Sequence, residues 1–380
     1  MKVMNKRLLL FICLCAALAS SYGQFNYKTI PSNLIRQDRN YGGYSTEIKA
    51  AKQKAYDLTN ELPENYVKTG RVDYTKYIQK GLDQHKTVIM PDFPILVNEN
   101  GLTLNSNSIL LFNKNSQIVI APNSEARYEI LRLHGVTNVR IFDANIVGDR
   151  ELHKSNKGEW GMGIAIRGSS NIKLYNPEVK NCWGDGIVIG VFEGIPSKNV
   201  EIINARLDFN RRNGIAIGSV DRIKIINPVI SNTEGTLPMA GICIEPNNNN
   251  ETCDNIVILN ALTFNNANAG IQVGLSKLPG EIPKQVNIEV NKHVDYQSRI
   301  GFFMGGFKED YRNGKPLVGK ITISEPSWNN NRNSLKTGLH YENGPDILID
   351  KMDITNIEPY QQGDNVRRRV NSKHKKIKIK

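Results

Sequence analysis

The stretch 181–191, NCWGDGIVIGV, sets one aspartate between two glycines and runs on into alternating apolar residues. It belongs to a series. Glycine followed by apolar, any, apolar recurs as GIAI at 163, GIVI at 186, GIAI at 214, GICI at 241, GIQV at 270, GFFM at 301 and GLHY at 338. Between these lies a second series: NVRI at 138, NIKL at 171, NVEI at 199, RIKI at 222, NIVI at 255, NIEV at 287, KITI at 320 and DILI at 346. Two-residue alternation marks a strand with one buried face. Short strands repeating every 20–35 residues, with Asn, Asp and Gly at their ends, mark a solenoid. A sandwich would not keep the two phrases in alternation. The fold class expected is all-β: a right-handed parallel β-helix with a short helical N-terminal cap.

Coils of such a solenoid stack at about 4.8 Å, so equivalent positions form columns. Residues at +1 and +3 from each glycine point into the core. The +2 residues point out: Ala165, Val188, Ala216, Cys243, Gln272, Phe303 and His340. A solenoid also needs capped ends. Residues 46–62 predict a helix stopped by Pro63, and 73–82 a second one, N-capped by Asp73 with Tyr74, Ile78 and Leu82 on one face. First strands are expected at 88–90, 95–97, 102–104 and 109–112.

The leading residues carry Lys2, Lys6 and Arg7, then an apolar run and small residues to Gly23. This pattern predicts a signal peptide over 1–23 and a secreted protein, with no transmembrane segment. The expected organisation is then 24–104 for the cap and first strands, 105–357 for the β-helix and 358–380 for a basic tail. The net charge of +12 does not point to nucleic acid. The leading 23 residues carry +3 and residues 366–380 carry +8, neither with an acid, which leaves about +1 for the body. The basic run reads as a solvated tail. Three cysteines remain after residue 23: Cys243 and Cys253 could pair across a loop, and Cys182 reads as a small buried residue. No metal-ligand spacing occurs, and neither metal nor cofactor is expected.

The segment DYTKYIQKGLDQHKTVIMPDFPILVNENGLTLNSNSIL and the phrases GEWGMGIAIRG, CWGDGIVIG, NRRNGIAIG and AGICIEPN resemble the pectate-lyase-like superfamily, over roughly residues 71–355. The resemblance implies a secreted β-helix acting on or binding polysaccharide, whether hydrolase, lyase, epimerase or adhesin. It departs from the polygalacturonase pattern. Gly184-Asp185-Gly186 has a single aspartate, there is no Asn-Thr-Asp or Gly-His-Gly, and Arg222-Ile223-Lys224 falls inside a core strand. The clustered calcium-binding aspartates of many pectate lyases are not visible either.

Unusual side chains gather over 159–247. Trp160, Trp183 and Arg211 share position −3, which predicts a Trp-Trp-Arg column: a sugar platform if exposed, a corner ladder if buried. Asp185 at −1 is either a turn residue bonding backbone N–H groups or a general acid or base, with Arg212 in the next coil as its partner. Glu245 sits at +4, where four of the seven phrases have glycine and Glu342 would hold the same place. Glu159 and Asp208 are further carboxylates. Asp185 and Glu245 lie two coils apart, nearly 10 Å at about 4.8 Å per coil, a spacing that only inverting hydrolysis could use, and then at its margin, with lateral offset widening it. His153, on the insertion 148–158, is a candidate proton carrier. These residues predict a glycoside hydrolase working by carboxylate acid/base chemistry. The alternatives are a lyase using Arg211, Arg212 or His153 on a uronic-acid glycan, and a non-catalytic glycan-binding solenoid. The expected partner is polysaccharide, and the expected state a monomer.

Overall fold

The structure, a computed structural model, describes residues 25–35, 44–307, 315–356 and 358–380. The expected signal peptide lies outside the described residues. The chain winds into a parallel solenoid with three strands in most coils. The G-I-x-I phrases form one face, through Trp160–Arg167, Ile187–Phe192, Asn213–Ile217 and Ala240–Ile244. The N-I-x-I phrases form the second, through Ser170–Tyr175, Ile195–Ile203, Val220–Ile226 and Cys253–Leu259. Very short strands such as Glu178–Lys180 make a third face of ten strands. Ile164 pairs with Ile187, Ile187 with Ile215, Ile215 with Ile242, and Ile242 with Ile271, so the expected columns are real. These +1 residues and their +3 partners are fully buried.

Asparagines explain the corners. Asn138, Asn171, Asn199 and Asn255 open their phrases at φ between 52° and 58°, a left-handed conformation that asparagine tolerates. Their amides bond along the axis, Asn171 to Asn138 at 3.2 Å and Asn199 to Asn171 at 3.1 Å. A second ladder runs through Asn176, Asn204, Asn227 and Asn260, in which each of the last three donates to the asparagine one coil before it at 3.0–3.1 Å.

The N-terminal cap differs from expectation. The first helix is Tyr44–Lys52, not 46–62. Asp57 accepts the Thr59 N–H at 2.8 Å and starts a separate turn, Leu58–Glu61, which drives Leu58 into the core. The second helix, Thr75–Gln84, begins later than expected: Tyr74 is the N-cap and Asp73 lies one residue outside it, accepting the Thr75 N–H at 2.8 Å, while Ile78 and Leu82 are buried as expected. The first strands, Thr87–Ile89, Pro94–Val97, Leu102–Thr103 and Ile109–Leu111, fall within a residue of expectation.

Three further expectations are corrected. The last G-I-x-I coil is Asn333–Thr337, not GLHY at 338: Leu335 pairs with Phe302, which puts Ser334 in the glycine's place and Lys336, not His340, at +2. The +4 residue of that coil is therefore Gly338, and Glu342 is not equivalent to Glu245. The basic segment is not a solvated tail. Gly363–Lys373 is a helix that buries Val366 and Val370, and Ile377–Ile379 adds a rung to Asp346–Asp350. Cys243 and Cys253 do not pair; both are buried free thiols, as is Cys182.

One polar network lies inside the later coils. Trp328 Nε1–H donates to His293 Nδ1 at 3.1 Å, so Nε2 carries the ring proton, 2.7 Å from Thr263 Oγ1. Thr263 in turn donates to Asp295 Oδ2 at 2.6 Å, and Asn331 and the Ser298 N–H donate to Oδ1. Burial pushes the Asp295 carboxyl up to about 7 against these donors, and pushes His293 down to about 3.

Candidate functional site

The outer side of the first face carries a cleft. Its floor is apolar: Met162, Ala165, Val188 and Ala216 form a packed patch separate from the main core. Asp185, Arg212, Glu245, Asn247 and Arg167 stand around a hollow of about 150 Å³ above it. Trp160, Arg167 and Val191 join it to a second hollow of about 540 Å³, lined by Arg127, Glu129, Arg132 and His134. An apolar floor with a few convergent charged groups is the usual build of a ligand site.

Asp185 sits at the inner wall, 1 % exposed. Its Oδ1 accepts from Asn213 Nδ2 at 2.8 Å, and Arg212 Nη1 lies 3.1 Å from Oδ2. Asp185 is therefore held by side chains of the next coil and not by backbone N–H groups. Burial raises its pKa, while Arg212 and Asn213 pull it back. Arg212 is itself raised: burial works against its charge, but Asp185, Cys243, Glu159 and Glu245 together outweigh burial. Its Nε lies 3.9 Å from Glu159 Oε1 on the rim. Glu245 closes the other end. Its side chain turns back over Cys243, with Oε2 3.9 Å from Sγ, which brings the carboxylate toward Arg212. Burial beside Glu245 holds the Cys243 thiol well above its ordinary range.

Of the expected Trp-Trp-Arg column only the Trp183–Arg211 half forms. The backbones stack as expected, Gly184 N–H to Gly161 O at 2.7 Å and Arg212 N–H to Gly184 O at 3.1 Å. The side chains diverge. Trp160 turns outward, 39 % exposed, with the Arg127 guanidinium 5.0 Å from its ring centre. Trp183 turns inward and is sandwiched between the His153 ring at 4.1 Å and the Arg211 guanidinium at 3.8 Å. His153 is enclosed, its Nδ1 2.8 Å from Asp149, and does not reach the cleft. Arg211 Nη1 donates to Gly158 O at 3.1 Å, fastening the insertion. So His153, Trp183 and Arg211 build a wall, and only Trp160 offers an open ring. Asp208 is on the third face, where it accepts from Tyr27 at 2.8 Å and Ser231 at 2.6 Å beneath the N-terminal segment.

Sequence reasoning missed Glu129, His134 and Arg167. Glu129 Oε2 is 2.7 Å from His134 Nε2, and Oε1 accepts from Arg167 Nε at 2.8 Å. Burial pushes the Glu129 carboxyl up, but His134 and Arg167 outweigh it and the net shift is downward. Two signals were available. Arg167 holds the same +4 position as Glu245, and Glu129 pairs with Met162 in the column of Asp185. Among the described residues, no group of three or more His, Cys, Asp or Glu is placed to hold a metal ion, and no helix is long and apolar enough to cross a membrane.

No family model matches the chain. Two proteins of Bacillus subtilis (strain 168) are similar over part of it: the SPbeta prophage-derived uncharacterized protein YorA, 28% identical over 162 residues, and the uncharacterized protein YclG, 26% identical over 161. Each match takes in 38% of this chain but only 28% and 27% of those proteins. Solved structures match across most of the chain. Endo-xylogalacturonan hydrolase from Aspergillus tubingensis superposes with a TM-score of 0.59 at 13% identity, over 79% of this chain and 85% of that one. The Streptococcus pneumoniae surface protein and adhesin PfbA gives 0.58 at 15% identity, over 81% and 87%. The A-module of the Azotobacter vinelandii mannuronan C-5 epimerase AlgE4 gives 0.53 at 13% identity, over 79% and 88%. The chain has the right-handed parallel β-helix fold of the pectate-lyase-like proteins.

Proposed function

We propose that this chain is a secreted glycoside hydrolase whose substrate lies in the cleft of the first face. One observation carries the reading: two carboxylates in unlike environments, Asp185 and Glu245, open on the same apolar-floored hollow with Arg212 between them. Unlike environments divide the roles. A carboxyl whose pKa is raised keeps its proton to give to a leaving oxygen, and that is Asp185. Glu245, half-buried at the open end, takes the proton of the attacking water. Two coils of separation, about 9.6 Å along the axis, stand at the upper limit of the inverting range, which leaves room for that water, and exclude the shorter retaining one. Arg212 and Asn213 fix the Asp185 carboxyl, and the exposed Trp160 ring offers a face for an adjoining sugar.

A lyase reading keeps one specific support: Arg167 and Arg212 face the cleft beside His134, which would suit a uronate. Arg211 and His153 no longer contribute to it. An adhesive reading draws on the fold shared with PfbA. The test is incubation with plant, algal and host polysaccharides, following reducing ends and ultraviolet absorbance together. The hydrolase reading expects reducing ends without absorbance, lost in Asp185→Asn and Glu245→Gln while thermal unfolding is unchanged. Absorbance with reducing ends would establish elimination instead. Full activity in both variants would sink the assignment of these carboxylates.

A further inference from the structure

The first face holds two kinds of glycine. A Cβ on Gly163, Gly186, Gly214, Gly241 or Gly270 would come within 2.5–2.9 Å of the carbonyl oxygen one coil on. Packing between coils dictates those residues. At +4, a Cβ on Gly305 or Gly338 would again meet close backbone, 3.2 Å from Val273 O and 2.0 Å from Gly306 N, but three glycines there are different. A Cβ on Gly190 would meet only Arg167 Nη1, at 3.2 Å; on Gly218, nothing nearer than 3.6 Å; on Gly274, nothing nearer than 3.9 Å. None of the three has a positive φ. Neither sterics nor backbone conformation requires glycine there.

Gly190 and Gly218 share one further property: both line the smaller hollow, and Gly274 does not. In their column Arg167 stands on one side and Glu245 on the other. Beside them lie Val188 and Ala216, the small outward residues of the same two strands. The floor is thus two bare peptide segments and two short apolar side chains, bounded by two charged groups of opposite sign. Arg212 Nε, in the wall, is enclosed without a hydrogen-bond partner.

We infer that Gly190 and Gly218 are glycine because a ligand occupies the space their side chains would fill: a pyranose ring lying with its C–H face on the floor. Its ring substituents then reach Glu245 and Asn247 on one side and Arg167 and Arg212 on the other. A bare backbone floor takes a ring face that carries no branch, so the subsite selects an unbranched unit of the glycan and any branch points out of the cleft. The inference rests on the cleft being the glycan site, and not on its chemistry.

The test uses the full mature chain in affinity electrophoresis through gels holding polygalacturonate, alginate, arabinoxylan or xyloglucan, with thermal unfolding alongside. Wild type should be retarded by at least one of these. Gly218→Ala should weaken that retardation about tenfold or more, with Tm within about 2 °C of wild type, and Gly190→Ala should act likewise. Gly274→Ala, in the same column outside the hollow, should change neither. Retardation of Gly218→Ala equal to wild type, equal losses in Gly218→Ala and Gly274→Ala, or no retardation of wild type by any of the four overturns the inference. Retardation lost in Gly218→Ala, with no cleavage by wild type, keeps the subsite and removes the hydrolase. Cleavage by wild type and Gly218→Ala alike keeps the hydrolase and removes the subsite.

Discussion

Replacing Asp295 by asparagine should turn a flat pH–stability profile into a steep one. Asp295 rises from an ordinary 3.8 to about 7 in the folded chain, and His293 falls from 6.5 to about 3. The signs are opposite. A raised carboxyl stabilises fully below about pH 4, and that contribution is lost as pH rises through about 7. A depressed histidine stabilises fully above about pH 6.5, and that contribution is lost as pH falls through about 3. Between pH 4 and 6.5 the folded pair holds one proton, on Asp295, and the unfolded pair also holds one, on His293. The pair therefore adds no slope across that window. Asp295→Asn imitates the protonated acid and leaves His293 alone. Over the interval from about 3.8 to 7, at about 1.4 kcal/mol per pH unit, the variant's stability should climb by about 4 kcal/mol relative to wild type. Urea unfolding of both proteins at pH 4, 5, 6 and 7 measures the difference, because every other group is common to the two. Parallel profiles would refute the reasoning, since the two groups would then not be carrying the protons assigned to them.

Arg212→Ala removes the charge that draws the raised Asp185 pKa back down, so the variant should lose stability relative to wild type as pH rises. The loss should shrink on acidification as Asp185 takes a proton, which urea unfolding at pH 5 and 8 would show. Trp183→Ala removes the ring between His153 and Arg211 and should cost roughly 3–5 kcal/mol of stability by denaturant titration. Trp160→Ala should unfold like wild type within about 1 kcal/mol, as an exposed substitution does, but be retarded less in polysaccharide gels.

The strand columns were legible because the alternation is enforced by burial. An isoleucine at +1 has nowhere to go but the core, and one slipped residue would expose every isoleucine of its strand. The last coil was misread because Gly338 offers the same phrase, but a Cβ there would lie 2.0 Å from Gly306 N, so its glycine serves a close backbone contact and not the start of a strand. Side-chain direction at strand ends was not legible. Trp160 and Trp183 share a column position, yet Trp160 lies in a strand paired with Arg127 while Trp183 lies in a bend, and the two rings point opposite ways. Charge hid the C-terminal helix. Arg367, Arg368 and Arg369 dominate its sequence, and the two valines that anchor it, Val366 and Val370, are one helical turn apart and easily overlooked. In the cleft, Asp185, Glu245 and Trp160 stood out, but Arg167 did not, because at +4 only the carboxylate of Glu245 was weighed against the glycines.

The rung Ile377–Ile379 has a meaning beyond stability. A parallel solenoid ends in a row of unpaired backbone groups, and one molecule's last coil is a template for another's first. Such head-to-tail contact does not close on itself and would grow into an open-ended filament. The last rung on the second face alternates isoleucines turned inward with Lys376, Lys378 and Lys380, and the helix beside it carries three arginines. Most of the excess charge of the whole chain is thus gathered beside this rung, so that a like-charged strand laid against its open edge would meet electrostatic repulsion as well as an open row of backbone groups.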